Sequence, residues 1–326
     1  MLLEVKSLCT EFPVKRGVVR AVDDVSFEVS EGEILAIVGE SGSGKSVTSL
    51  SVMGLLAEPG HVAGGEMTFD GKDLVHLSEK EYREMRGNDM AMIFQEPMTS
   101  LNPILPVGQQ IGEAVLLHTD LNKEEREKRV DEMLTAVGLQ PSRKNEYPHQ
   151  FSGGMKQRIV IAIALACNPE LLLADEPTTA LDVTIQSQVL QMMNDLKKRF
   201  NTGMILITHD LGVVAQTCDK VAIMYAGHIV ENGTVQDIYE SAQHHPYTVG
   251  LFHSIPEMNK DSNRLAPIPG LMPDPMIRQE GCSFSDRCPK CSERCRREKP
   301  GNYTVSNSHT ISCFLYEQGD ADKEEI

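Results

Sequence analysis

From Val22 to Val29 apolar and polar side chains alternate, the period-two pattern of a strand with one buried face. A turn at Glu31-Gly32 leads into Ile34-Leu35-Ala36-Ile37-Val38, an apolar run short enough for a buried parallel strand. The first 38 residues therefore read as β-rich, and Met67-Thr68-Phe69 before Asp70-Gly71 predicts a further strand entering a turn. Between about residues 96 and 166 the pattern changes. Pro97, Pro103 and Pro106 break the chain, and helical periodicity follows over 108–117, 123–137 and about 155–166, the second stopping at Gly138. This block predicts a helical insertion in an α/β domain.

Strand and helix then alternate again. Leu171-Leu172-Leu173-Ala174 and Met204-Ile205-Leu206-Ile207 are apolar runs of strand length, separated by a helical stretch at 183–199. Val221–Tyr225, a turn at Ala226-Gly227, and His228–Glu231 predict a hairpin. Such alternation implies a mostly parallel sheet covered on both faces. After about residue 240 the regularity fades. Pro256, Pro267, Pro269, Pro273 and Pro275 mark an irregular arm, a cysteine-rich stretch follows, and 317–326 is an acidic end. The expected division is 1–250 for the α/β domain and 251–326 for the arm and Cys-rich region.

Composition narrows the class. Lys and Arg total 31 against 47 Asp and Glu, a net charge of −16, which argues against a nucleic-acid binder. No apolar run approaches the ~20 residues of a membrane span. Met1–Lys6 is too short and too charged for a secretory signal, so a cytoplasmic chain is expected. Any role in transport then requires a separate membrane partner.

Gly39-Glu40-Ser41-Gly42-Ser43-Gly44-Lys45-Ser46 fits G-x-x-x-x-G-K-[ST], the P-loop, between a predicted strand and a predicted helix. Its glycines let the backbone N–H groups face phosphates, and the helix N-terminus adds partial positive charge. Lys45 is expected at the β- and γ-phosphates of ATP and Ser46 at Mg²⁺; Gly39, Ser41, Gly42, Ser43, Gly44 and Val47 complete the expected nucleotide contacts. Leu171–Ala174 ends in Asp175-Glu176, two carboxylates where an open α/β sheet places ligands. Asp175 is expected beside Mg²⁺ and Glu176 at the attacking water. Taken singly, each motif has a plain structural reading: a Gly/Ser turn, or an acidic turn after a core strand.

Phe151-Ser152-Gly153-Gly154-Met155 precedes a predicted helix. It resembles the signature loop of ABC-type ATPases, usually Leu-Ser-Gly-Gly-Gln, with Phe151 for Leu and Met155 for Gln. Alone it reads equally as a Ser helix cap. The resemblance implies that Ser152, Gly153 and Gly154 contact the γ-phosphate of ATP held by an opposite subunit. Three more segments fall in the family's order. Phe94-Gln95-Glu96-Pro97 resembles the Q-loop, implying that Gln95 touches Mg²⁺ and water and couples the site to the insertion. Thr179-Ala180-Leu181-Asp182 resembles the D-loop, and Thr208-His209-Asp210 the H-switch, implying a γ-phosphate contact for His209. The family stacks adenine on an upstream aromatic residue; Phe12 and Arg16 are both candidates here.

A narrower resemblance, to the peptide/nickel importer branch, rests on Gln95–Pro103, His245-Pro246-Tyr247-Thr248, the Pro-rich arm and the cysteines. It implies a second, non-identical ATPase subunit, two transmembrane permease subunits and an extracellular solute-binding protein. The chain would then sit peripherally on the cytoplasmic face of the membrane. Dipeptides or oligopeptides are the expected cargo. Nickel or another solute is the alternative, and a soluble non-transport ABC ATPase is a further rival.

Cys282-x5-Cys288-x2-Cys291-x3-Cys295, with Cys313 beyond, offers five thiolates for four-ligand chemistry. Four suit an iron–sulfur cluster; Zn²⁺, with His309 as a further ligand, is the alternative, and unligated or disulfide-bonded cysteines are a third reading. In the resembling branch, cysteines matching Cys282, Cys288, Cys295 and Cys313 hold a [4Fe–4S] cluster, which leaves Cys291 as an extra thiol. Such a group would staple an arm with little core of its own. Arg278, Arg287, Lys290, Arg294, Arg296, Arg297 and Lys299 make this region locally basic, which suggests contact with an acidic partner or with headgroups. The full expectation is a P-loop NTPase of ABC type with a β-rich N-terminal subdomain, an α-helical insertion and a metal-stapled C-terminal arm.

Overall fold

The computed structural model describes residues 1–95, 97–179, 181–254 and 268–317. Its strands are β1 (Leu3–Val14), β2 (Gly17–Val29), β3 (Ile34–Val38), β4 (His61–Phe69), β5 (Lys72–Asp73), β6 (Met90–Ile93), β7 (Leu171–Asp175), β8 (Gly203–Thr208), β9 (Lys220–Tyr225), β10 (His228–Thr234), β11 (Tyr303–Thr304) and β12 (Thr310–Ile311). They form two sheets. One is antiparallel, ordered β2-β1-β4-β5, and constitutes the β-rich N-terminal layer. The other is ordered β11-β12-β10-β9-β3-β8-β7-β6, with β6 to β9 and β3 parallel and the remaining pairs antiparallel.

Strands β3, β7 and β8 are buried along their whole length, as continuous apolar runs require when both faces of a parallel sheet are covered. Their pleat divides the core. Leu171, Leu173, Ile205 and Ile207 face Leu3, Val5 and Phe69 of the N-terminal sheet. Leu172, Ala174, Met204 and Leu206 face Ile111, Met133 and Ile159 of the helical insertion. The insertion comprises helices Pro97–Ser100, Val107–His118, Lys123–Ala136 and Gly153–Ala164. Asn122 and Glu125 form a capping box at the start of the third, and Gly138, at φ 73°, turns the chain away just past its end.

Residues on both sides of position 250 share the larger sheet. β12 pairs with β10, Glu231 opposite Ile311, and carries β11 outside it. Phe284 is buried against Tyr225 and Tyr247, with ring centroids 5.1 and 5.4 Å away. Burying a phenylalanine contributes roughly 1.5–3 kcal/mol. The Cys-rich segment therefore packs into the core that holds Val38, Val221 and Ile223, rather than hanging from it.

Candidate functional site

Strands β3, β6, β7 and β8 run parallel, so their C-terminal ends open on one edge of the sheet. Gly39, Gln95, Asp175 and His209 leave from those ends, which is where an open α/β sheet places ligands. The P-loop curls from Gly39 into helix Lys45–Val52. A Cβ at Gly39 would lie 2.1 Å from the Met224 carbonyl oxygen, so only glycine fits as the loop crosses β9. Gly44 takes φ 108°, a left-handed conformation that glycine adopts without strain. Lys45 is buried, and its Nζ donates to the Gly39 and Glu40 carbonyls at 2.8 Å each. Burial lowers its pKa, against the raising charges of Glu176, Asp175 and Glu40.

Asp175 closes β7 with a buried carboxylate whose pKa burial raises, while the Ser46 hydroxyl bonds to it. Its Oδ1 has no hydrogen-bond partner, and neither does the buried Ser43 Oγ. Unpaired buried oxygens beside a lysine suit a hard cation and a phosphate. The residues present thus fit Mg²⁺–nucleotide. Glu176 follows at φ 45°, a strained left-handed backbone that turns its side chain across the site. Its Oε2 accepts from Gln95 Nε2 at 3.0 Å and Thr179 Oγ1 at 2.9 Å, and its Oε1 lies 3.2 Å from His209 Nδ1. Burial pushes the carboxyl pKa up, but these three partners outweigh it and leave it lowered.

The signature residues stand apart from this cluster. Ser152 and Gly153 are exposed at the N-terminus of helix Gly153–Ala164, and the Ser152 side chain makes no capping hydrogen bond. That disfavours the plain cap reading. Gly154 abuts helix Val183–Phe200, where a Cβ would lie 2.5 Å from Ile185 Cγ2. Asp182 caps that helix, its Oδ1 accepting from the Ile185 amide at 2.9 Å. Glu96 and Ala180 of the Q- and D-loop motifs lie outside the described residues. Of the two adenine candidates, Phe12 packs on Gly60, whose Cβ would lie 2.3 Å from its ring, and Arg16 is exposed at the turn joining β1 to β2.

These elements are matched elsewhere. Residues 22–179 match the ABC transporter family, and residues 230–295 match the oligopeptide/dipeptide transporter C-terminal region. The chain is 50% identical over 325 residues to the oligopeptide transport ATP-binding protein AppD of Bacillus subtilis, covering 99% of each. The chain belongs to the ABC transporter ATP-binding family. Likeness to the dipeptide transport ATP-binding protein DppD of Escherichia coli is 47% over 314 residues, 96% of each chain. The dimeric structure of the bacterial ABC transporter cassette MJ0796 superposes with a TM-score of 0.65 at 28% identity, over 72% of this chain and 99% of that one. This ABC ATPase thus has the family's P-loop fold, extended by its own C-terminal region. No helix among the described residues is long and apolar enough to cross a membrane.

A second cluster lies in that C-terminal region. Cys282, Cys288, Cys295 and Cys313 line one cavity of about 410 Å³, and Cys291 is not among its walls. The Cys291 thiol instead donates to the Ser292 carbonyl at 3.4 Å. Burial pushes Cys282 up to about 12 and Cys313 up to about 11. His309 is not part of this set. It lies against Glu231 with His244, and these three are the group among the described residues whose ligand atoms fall within 4.8 Å of one another. His309, a candidate zinc ligand by sequence, instead bonds Glu231 of β10 and does not line the cysteine cavity.

Proposed function

We propose that this ABC ATPase energises import of dipeptides or oligopeptides through separate membrane permeases. The observation that carries the reading is that likeness to peptide-transport ATP-binding proteins runs through the tail as well as the cassette, at 50% identity across 99% of the chain. In this reading the ATPase works with a second, non-identical ATP-binding subunit, two permease subunits and an extracellular solute-binding protein, at the cytoplasmic face. Uptake of labelled peptide by vesicles holding the assembled transporter tests it. ATP-dependent peptide uptake that disappears with Lys45→Ala supports the proposal; ATP-dependent uptake of nickel with none of peptide overturns the cargo.

Hydrolysis is assigned to the chain's own groups as follows. The P-loop amides of Gly39 and Ser41 to Val47 cradle the phosphates, with Lys45 balancing their charge. Ser46, Asp175 and Gln95 would hold Mg²⁺, which would supply charge neutralisation and orientation when bound. Glu176, its carboxylate held by Gln95, Thr179 and His209, orients or deprotonates the attacking water. His209 contacts the γ-phosphate beside it. The Ser152–Gly154 helix entry, with Ser152 and Gly153 exposed and assisted by Asp182, completes the site of the facing subunit.

For the tail, we assign Cys282, Cys288, Cys295 and Cys313 to a [4Fe–4S] cluster with a structural role. That all four thiols line one cavity supports it. Zn²⁺ is the competing occupant. When bound, such a cluster would staple the C-terminal region.

A further inference from the structure

Arg287 lies in the Cys-rich segment, one residue before Cys288, yet its side chain reaches the P-loop. Its side chain is 5% exposed, and its guanidinium forms a forked ion pair with Glu40, Nη1 to Oε2 at 2.6 Å and Nη2 to Oε1 at 3.1 Å. The other donors are also placed. Nε donates to the Pro269 carbonyl at 2.9 Å, Nη2 to the Ile268 carbonyl at 3.2 Å, and Nη1 to Tyr225 Oη at 3.4 Å. All five N–H groups of the guanidinium thus have a partner, the geometry a planar fork allows and an ammonium does not.

Glu40 is the second residue of the P-loop, and every polar group it owns is held. Its amide donates to Tyr247 Oη at 2.9 Å. Its carbonyl accepts from Lys45 Nζ at 2.8 Å and from the Ser43 amide at 3.2 Å. Its carboxylate is the one gripped by Arg287. Two of these holds, from Tyr247 and Arg287, come from outside the cassette's own phosphate machinery, and Phe284 seats the segment that delivers the arginine. The same peptide unit is the one that Lys45 touches.

We propose that Arg287 is a positioning residue for ATP: through Glu40 it fixes the mouth of the P-loop, so that the C-terminal region sets nucleotide affinity. The arginine does not touch the reacting atoms. Its effect passes through the backbone of Glu40 to the amides and the lysine that meet the phosphates. A loop held in one conformation loses less freedom when nucleotide binds, so release of the fork weakens binding more than it slows turnover. This inference rests on the P-loop holding ATP, and it concerns the ion pair alone, whatever the cysteines bind.

The test compares full-length protein, free and in the assembled transporter, as wild type, Arg287→Lys, Arg287→Ala, Glu40→Gln and the Arg287→Ala/Glu40→Gln double variant. Fluorescent ATP binding to the free chain and the ATP dependence of phosphate release by the complex are read together. Arg287→Ala and Glu40→Gln are each expected to raise the Kd and KM for ATP about tenfold with kcat changed less than about twofold. The double variant is expected to be no worse than the poorer single one, because both remove one interaction. Arg287→Lys keeps the charge but loses the fork, and an intermediate KM is expected. Should Arg287→Ala fail to fold, the lysine variant decides. Wild-type ATP affinity in folded Arg287→Lys and Arg287→Ala, or fully additive effects in the double variant, would overturn the proposal. Loss of kcat with KM unchanged would overturn it too, since that is the mark of a purely structural role. If wild-type protein itself bound no ATP, the functional reading would fall instead.

Discussion

The side-chain amide of Gln95 donates to Glu176 Oε2 across 3.0 Å, joining the end of β6 to the end of β7. Gln95 stands where the chain enters the helical insertion, so this bond links the carboxylate at the proposed water site to the block that would meet a permease. One neutral-to-charged hydrogen bond contributes about 1.5–3 kcal/mol. Gln95→Ala is therefore expected to lower phosphate release at least about tenfold, with a smaller loss of MgATP affinity because Gln95 is also an assigned Mg²⁺ contact. Stimulation by peptide-loaded binding protein should disappear in the same variant. Preserved stimulation in a steady-state phosphate assay would refute the linkage.

The tail cavity makes a prediction about single cysteines. Protein purified without oxygen is expected to carry iron and sulfide and to show the broad visible absorbance of an iron–sulfur protein. Cys282→Ser, Cys288→Ser, Cys295→Ser and Cys313→Ser should each lose it, whereas Cys291→Ser, outside the cavity wall, should retain it. Metal analysis finding one zinc and no iron would reverse the assignment.

Glu231, His244 and His309 lead to a pH dependence. His244 places both ring nitrogens against acceptors, Nδ1 at 2.8 Å from Glu231 Oε1 and Nε2 at 2.8 Å from the Ser241 carbonyl. Only the doubly protonated ring can donate to both. The Glu231 hydrogen bond raises the His244 pKa, with burial opposing it. Glu231 is desolvated, yet His244, His309, Thr248 and the His245 amide together hold it down to about 2. The adjoining His245 is pushed down to about 4 by burial, so it remains neutral here. The His244 contribution is complete below 6.5 and is lost as pH climbs through its raised value. The Glu231 contribution is present above 4.5 and is lost as pH falls towards about 2. Because β12 and His309 belong to the tail, the melting temperature of wild-type protein should fall as pH rises from 6.5 through the raised His244 value, with a shallower fall in His244→Gln. Parallel curves for the two proteins would refute this contribution of His244.

Much of this was readable in the sequence, and the reason is physical. Ile34–Val38, Leu171–Ala174 and Met204–Ile207 are runs that must be buried on both faces, and each ends in the loop that carries a motif. Helices 108–117 and 123–137 were legible from periodicity and a glycine stop. Other elements gave a weaker signal. Met90–Ile93 is a four-residue strand dominated by methionine, and only pairing with β7 makes it one. Helix Glu79–Met85 has a Ser78–Glu81 capping box that announces it, a cue sequence analysis passed over. The strands Tyr303–Thr304 and Thr310–Ile311 are too short for any period and exist because β10 offers an open edge. The Glu40–Arg287 pair spans 247 positions, and no local pattern announces such a contact. A cluster of basic residues suggested a partner surface, whereas its most buried member is spent inside the molecule.

The central claim is that Glu176 aligns water on ATP bound by Lys45 and its loop. Its most direct test is pre-steady-state phosphate release from MgATP by the assembled transporter carrying Glu176→Gln. A side chain that takes a proton from the attacking water typically contributes ~10²–10⁴ in rate. The account predicts ATP bound as tightly as in wild type and released as phosphate at least about a hundredfold more slowly. A Glu176→Gln complex that turned over ATP at the wild-type rate would contradict it.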